Sequence, residues 1–265
     1  MAGLSGKTIS QSYKSLLRVK DDTYGVRQSL NVITDGEGTE AAMSISDDSV
    51  RVQPRNDDNS AVFAARTQGG TDILKVDSTI PAVRAGVNQN FVNTKYAYFG
   101  VNSIDSADFT DDTHMGVPFN GNGYGDLDNI PAFGTGTDPA TTFTTAEGNG
   151  VRASDITPCL WHVQDDITID SLTLYIGADT ATGDTARFHL MSYTFSSGST
   201  SALTSGAVLA SSLDNTNAGS EQVYKMTISP TIADVDAGKV ILACFRSDSI
   251  NSDYSINLTV KYHLR

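Results

Sequence analysis

The chain has 265 residues, with 18 basic and 31 acidic groups and a net charge of −13, a balance that a nucleic-acid backbone would repel. Its hydrophobic fraction of 39% is enough for a packed core, and no run of 18 apolar residues exists to span a membrane. The acids divide into 27 Asp and 4 Glu, beside 28 Ser, 29 Thr and 23 Gly. Such residues favour turns and compete with helix hydrogen bonds, so the composition predicts an all-β chain rather than a helical bundle or a βαβ enzyme.

The first twenty residues hold Lys7, Lys14, Arg18 and Lys20 and no acid. They have no apolar stretch of the secretory kind. Ile9, Tyr13, Leu16 and Leu17 share a face at helical spacing, while Leu16–Val19 equally suits a strand. This basic tip reads either as a solvated terminus or as a docking segment for an acidic partner.

Residues 21–95 carry a weak internal repeat. AMSISDDSVRV (42–52) and ILKVDSTIPAVRA (73–85) follow one pattern, about 31 residues apart: alternating apolar residues, a polar turn, then Val-Arg. Upstream, LLRVKDDTYGV corresponds loosely to VFAARTQGGTD. Each unit predicts a pair of short strands, too small to close a core alone. Association with sister chains supplies the missing surface, and threefold symmetry closes a ring of faces. The expectation is therefore a trimeric β-repeat stalk, with a small monomeric β-domain as the alternative.

From residue 96 onward the chain predicts a β-sandwich head of jelly-roll type, with long loops at 102–157. KYAYFGV (95–101) and HMGVPF (114–119) read as strands. PCLWHV (158–163), DITIDSLTLYIGA (166–178), TARFHLMSYTF (185–195), GAVLASSL (206–213), QVYKMTIS (222–229), KVILACFRS (239–247) and DYSINLTVKYHL (253–264) follow. The alternation of Ile167, Ile169, Leu172, Leu174 and Ile176 shifts phase at Asp170-Ser171. Charge divides along the chain too. Residues 1–95 carry 11 bases and 11 acids, and residues 96–265 carry 7 and 20.

Chemistry-bearing motifs are sparse. His114, His162, His189 and His263 have no metal spacing, and His162 and His189 are expected to face solvent or a neighbouring chain. Cys159 and Cys244 read as reduced core thiols. The many Asp pairs sit where Asp caps turns, so a glycosidase carboxylate pair has no distinct candidate, and no catalytic residue or cofactor is expected. Asn120, Asn122, Asp126 and Asp128 offer oxygen ligands that would suit Ca²⁺. The same turn-rich loop supplies candidate binding contacts, Tyr124, Asp126, Asp128 and Phe133.

YKSLLRVKDDTYGVRQSLNVITDGEGTEAAMSISDDSVRV resembles the N-terminal region of virion appendage proteins of tailed bacteriophages, marine ones in particular. The likeness lies in the LLRV opening, the Asp35-Gly36-Glu37-Gly38-Thr39 turn and the hairpin after it. VNTKYAYFGV (92–101) and the closing GKVILACFRSDSINSDYSINLTVKYHLR are similar to the same group. The resemblance implies a short homotrimeric tail fibre located in the virion. Its first segment (1–20) would attach to a tail adaptor or capsid protein through Lys7, Tyr13, Lys14, Leu16, Leu17 and Arg18. Its head would meet a host surface glycan or protein. Two alternatives stay open: a capsid head fibre or decoration protein without receptor binding, and a glycan depolymerase.

Overall fold

The computed structural model describes residues 17–20, 25–104, 110–120, 131–145, 152–179, 182–249 and 251–265. The chain divides into two compact units, Met1–Val92 and Asn93–Arg265. Both are built from antiparallel sheets, so the fold is all-β.

The first unit holds two four-stranded sheets, each pairing in chain order. One contains β1 (Arg18–Val19), β2 (Asn31–Thr34), β3 (Glu40–Ile45) and β4 (Val50–Val52). The other contains β5 (Phe63–Arg66), β6 (Asp72–Asp77), β7 (Ala82–Ala85) and β8 (Asn90–Phe91). The β2–β3 and β5–β6 turns have one design. In the first, Asp35 N–H donates to Thr39 O and Gly38 N–H to Asp35 O; in the second, Thr67 N–H donates to Thr71 O and Gly70 N–H to Thr67 O. Gly38 and Gly70 have φ of +88° and +85°, a region that side chains other than glycine's disfavour. The residue opening each turn ties it from within. Asp35 accepts the Glu37 and Thr39 N–H groups, which hold its carboxyl below the usual range, and Thr67 Oγ1 accepts the Thr71 N–H. TQGGT thus matches DGEGT. The upstream correspondence expected with LLRVKDDTYGV is not the one these turns make.

The hairpins β3–β4 and β6–β7 also present similar rows. Ile45 faces Val50 and Met43 faces Val52, while Val76 faces Val83 and Phe63. Among the described residues of this unit, Ile33 is the one large hydrophobic side chain that is buried. Met43, Val50, Val52, Phe63, Ile73 and Val83 are all exposed.

The second unit is a two-sheet sandwich. One sheet has the order β16 (Gln222–Ile228), β12 (Ile167–Ala178), β19 (Tyr254–Leu264) and β9 (Thr94–Ile104), with β17 (Asp234–Val235) beside β12. The other has the order β10 (Met115–Val117), β18 (Lys239–Ser247), β13 (Thr182–Phe195) and β14 (Leu203–Ser211). The short β11 (Trp161–His162) adds to β18 and β15 (Asn215–Ala218) to β13. Period-2 alternation places Leu172, Leu174, Ile176, Leu258, Val260 and Phe99 inward against Phe188, Leu190, Ile241, Ala243 and Phe245, in one buried cluster. The phase shift read at Asp170-Ser171 is a bulge, where the β12–β19 register slips between Ile169 and Ser171.

The β10–β18–β13–β14 sheet is buried on both faces. Its outward side chains Met191, Tyr193, Val240, Leu242 and Cys244 form a second cluster with Phe133, Phe143, Ile156 and Cys159. Those covering residues come from segments 131–145 and 152–160. There α1 (Ala153–Ile156) runs into a 3-10 turn, Thr157–Cys159, with Pro158 near its start. A proline there loses no helix hydrogen bond, and this turn replaces the first half of the strand expected over 158–163. The Tyr193 hydroxyl donates to Ala140 O at 2.7 Å, tying the cover to the sheet. Burial pushes that phenol up. Part of the expected long-loop region is therefore packing material rather than display.

Candidate functional site

Among the described residues of the second unit, none covers the outer face of the other sheet as 131–145 covers its partner. Alternation along β9 turns Ala97, Phe99 and Val101 inward and leaves Tyr96, Tyr98 and Gly100 on the outer face. The same rule places Thr173, Tyr175 and Gly177 of β12 outward. Register brings these into rows. Tyr98 lies opposite Thr259, which lies opposite Thr173; Gly100 lies opposite Asn257, which lies opposite Tyr175, which lies opposite Lys225. Ser255 and Val223 flank Gly177 in the next row.

The result is a shallow groove of about 420 Å³, lined by Tyr98, Gly100, Tyr175, Gly177, Val223 and Asn257 among others. Tyr98 and Tyr175 are 49% and 41% exposed, and Val223 is 74% exposed. The glycines keep the floor low. A Cβ on Gly100 would come within 3.0 Å of the Ile256 carbonyl oxygen, whereas one on Gly177 would meet only Ser255, at an ordinary 3.5 Å. The Lys225 ammonium sits 5.8 Å from the Tyr175 ring centroid, within reach of a cation–π contact. Beyond Gly177 a second depression is lined by Asp179, Glu221 and Asp253, so the face runs from basic to acidic along β12.

The expected site residues fare differently. Lys7, Tyr13, Lys14 and Leu16 lie outside the described residues, as do Asn122, Tyr124, Asp126 and Asp128. Leu17 is exposed, and Arg18 is the first residue of β1, opposite Thr34. Asn120 adopts a φ of +59° and donates its N–H to Tyr98 O. Phe133 is a correction: it is fully buried among Phe143, Tyr193 and Leu203, so it cannot touch a receptor. The groove residues were missed, although the outward phase of KYAYFGV and LTLYIGA marked Tyr98, Tyr175 and Gly177.

His189 is a second correction. His162 is exposed, as expected, but His189 is 0% exposed. It lies on the covered outer face of its sheet, opposite Cys244, with its ring edge-on to His114 at 4.8 Å. His114 Nε2 bonds Gly136 O at 2.9 Å. Among the described residues neither ring nitrogen of His189 has a hydrogen-bond partner; Asp138 Oδ1, at 3.4 Å from Nε2, is too distant for a good one. Burial, then His114 and Arg187, push the His189 pKa down to about 4. Both thiols are buried, and burial pushes the Cys244 thiol up, the unreactive direction. Among the described residues no group of three His, Cys, Asp or Glu side chains could hold a metal ion. This cluster fastens segment 131–145 to the sheet and offers no open position for chemistry.

No protein-family model matches the chain, and no curated protein matches it.

Proposed function

We propose that this chain is a bacteriophage virion structural protein: a short homotrimeric fibre whose first unit is a β-repeat stalk and whose second is a jelly-roll body turned toward the host. The observation that carries the reading is the first unit's missing core. Its rows of apolar side chains, Met43 with Val52, Ile45 with Val50, and Phe63 with Val76 and Val83, are exposed or half-buried in a single chain, and Ile33 is the one large hydrophobic buried among the described residues. A Val or Phe moved from water into a shared core contributes about 1.5–3 kcal/mol. Three sister chains would bury these rows against one another. The twin turns at Gly38 and Gly70, 32 positions apart, support the repeat.

Strand order supports the jelly roll. Number the eight strands on the main paths of the two sheets, β9, β10, β12, β13, β14, β16, β18 and β19, from one to eight. The sheets then read 1-8-3-6 and 2-7-4-5, the order made by two interleaved Greek keys, an architecture used in viral capsid and lectin domains.

Light scattering on the full chain is expected to give three times its 28.1 kDa mass. A variant combining Val50→Asp and Val83→Asp is expected to lose that association, because each charge would have to enter a dry interface. A monomeric wild type would refute the stalk. Purified protein is also expected to compete with particles for adsorption to host cells.

A further inference from the structure

We infer that the outer face of the β16–β12–β19–β9 sheet is a binding groove for an acidic oligosaccharide. This rests on the reading of the body as the host-contacting part, and it names the ligand class and the residues that hold it.

The groove has the chemistry of a sugar. A pyranose ring presents a face of C–H groups and a rim of hydroxyls. The exposed rings of Tyr98 and Tyr175 offer flat apolar surfaces for the C–H face. They are two strands and one residue pair apart, about 12 Å by strand geometry, the span of a short oligosaccharide rather than of one sugar. Between them Asn257 and Thr259 of β19 supply an amide and a hydroxyl for the rim. Gly100 and Gly177 remove the side chains that would otherwise fill this space. These groups stand on paired strands at fixed register, so little ordering is needed when a ligand arrives.

Charge identifies the class. Residues 96–265 carry 7 bases against 20 acids, so a general anion would be repelled. Three of those bases, Arg187, Arg246 and Arg265, are paired with aspartates, and Lys239 bonds Thr194. Lys225 and Lys261 both stand on this outer face, Lys225 over the Tyr175 ring beside the groove. A carboxylate or sulfate on the sugar would meet Lys225. At the opposite end Asp179, Glu221 and Asp253 are suited to accept hydroxyls but would repel a second acidic group. The ligand is therefore an acidic sugar in a chain that also contains neutral ones, with its anion at the Lys225 end.

The test uses the full-length protein on a panel of oligosaccharides: uronate-containing, sialylated and sulfated chains, with neutral glucans and mannans as controls. Saturable binding to an acidic member, weakened at high salt and absent for neutral glucans, is expected. Tyr98→Ala and Gly177→Val are each expected to weaken it at least tenfold. Gly177→Val fills the floor at a position where the fold itself has room, so its thermal midpoint should match the wild type. Lys225→Gln is expected to lose about tenfold and most of the salt dependence. Failure of every acidic member to bind, or equal binding by all three variants, would overturn the proposal. So would a change of oligomeric mass in Gly177→Val, which would make the face a contact between copies of this chain. Host adsorption separates the two readings. Wild type and groove variants competing equally would leave the adhesive body standing and sink the groove. Specific sugar binding without any competition would do the reverse.

Discussion

Replacing Phe133 by alanine is expected to destabilise the sandwich by about 3–5 kcal/mol. The ring is fully buried, 4.8 Å from Phe143 and 6.4 Å from Tyr193 between centroids. Its backbone is held on both sides, its N–H by His114 O at 2.7 Å and its carbonyl by the Ala140 N–H at 2.6 Å. Segment 131–145 therefore cannot sink inward to close the hole. Gly116 lies beneath the ring, where a Cβ would come within 3.2 Å of it, so no larger neighbour stands ready to refill the space. For a unit of this size the loss corresponds to a fall in melting temperature of about 10 °C, which calorimetry would measure directly. Phe133→Leu should retain most of the stability. A near-neutral Phe133→Ala would contradict the burial and restore the residue to an exposed loop.

Acid is expected to weaken the same region, by about 3 kcal/mol between about pH 6.5 and about pH 4. In the unfolded chain His189 takes up a proton near 6.5. In the fold its pKa is pushed to about 4, chiefly by burial, with His114 and Arg187 adding repulsion and Asp138 opposing them. The unfolded state therefore binds more protons throughout that window. Stability is fully present above pH 6.5, declines as pH falls, and loses nothing more from this group below about 4. His114 is lowered as well, mainly by burial, and acts in the same direction. Cys244, opposite His189, stays a neutral thiol and gives no compensating charge. Carboxylates held down by partners, such as Glu40 beside Lys20 and Arg55, add a loss of their own once pH falls into the ordinary carboxylate range. Urea midpoints at pH 7, 5.5 and 4.5 would trace the decline. His189→Gln should flatten it; an unchanged slope in that variant would assign the acid sensitivity elsewhere.

Local signals carried the strands. Ile167 to Ile176 alternate and slip at Asp170-Ser171, and the structure has both the long strand and the bulge there. KVILACFRS, apolar at successive positions, belongs to a strand buried on both sides, as Ile241 and Leu242 face different clusters. What covers such a strand is a non-local matter. Phe133 and Phe143 sit among Gly, Thr and Asp, a composition that reads as an exposed loop, yet they reach the sheet through bridges such as Phe143 with Leu203. His189 followed from the same blind spot: period two put it opposite Leu190, on a face that looked solvent-directed until segment 131–145 was laid over it. The groove was legible in principle, because Tyr98 and Tyr175 occupy the outward phase of strongly patterned strands. It needed the register to bring β9, β19 and β12 side by side.

The covered sheet divides the sandwich into two regimes of inheritance. On β13 and β18 both phases of the strand are committed to packing, so nearly every substitution there meets a neighbour. On β9, β12, β16 and β19 only alternate positions are committed, and the others, Gly100 excepted, can vary with little disturbance of the core. A lineage carrying this body could revise one surface residue by residue while its scaffold stayed constant, and mutational tolerance should switch on and off with a period of two along those four strands.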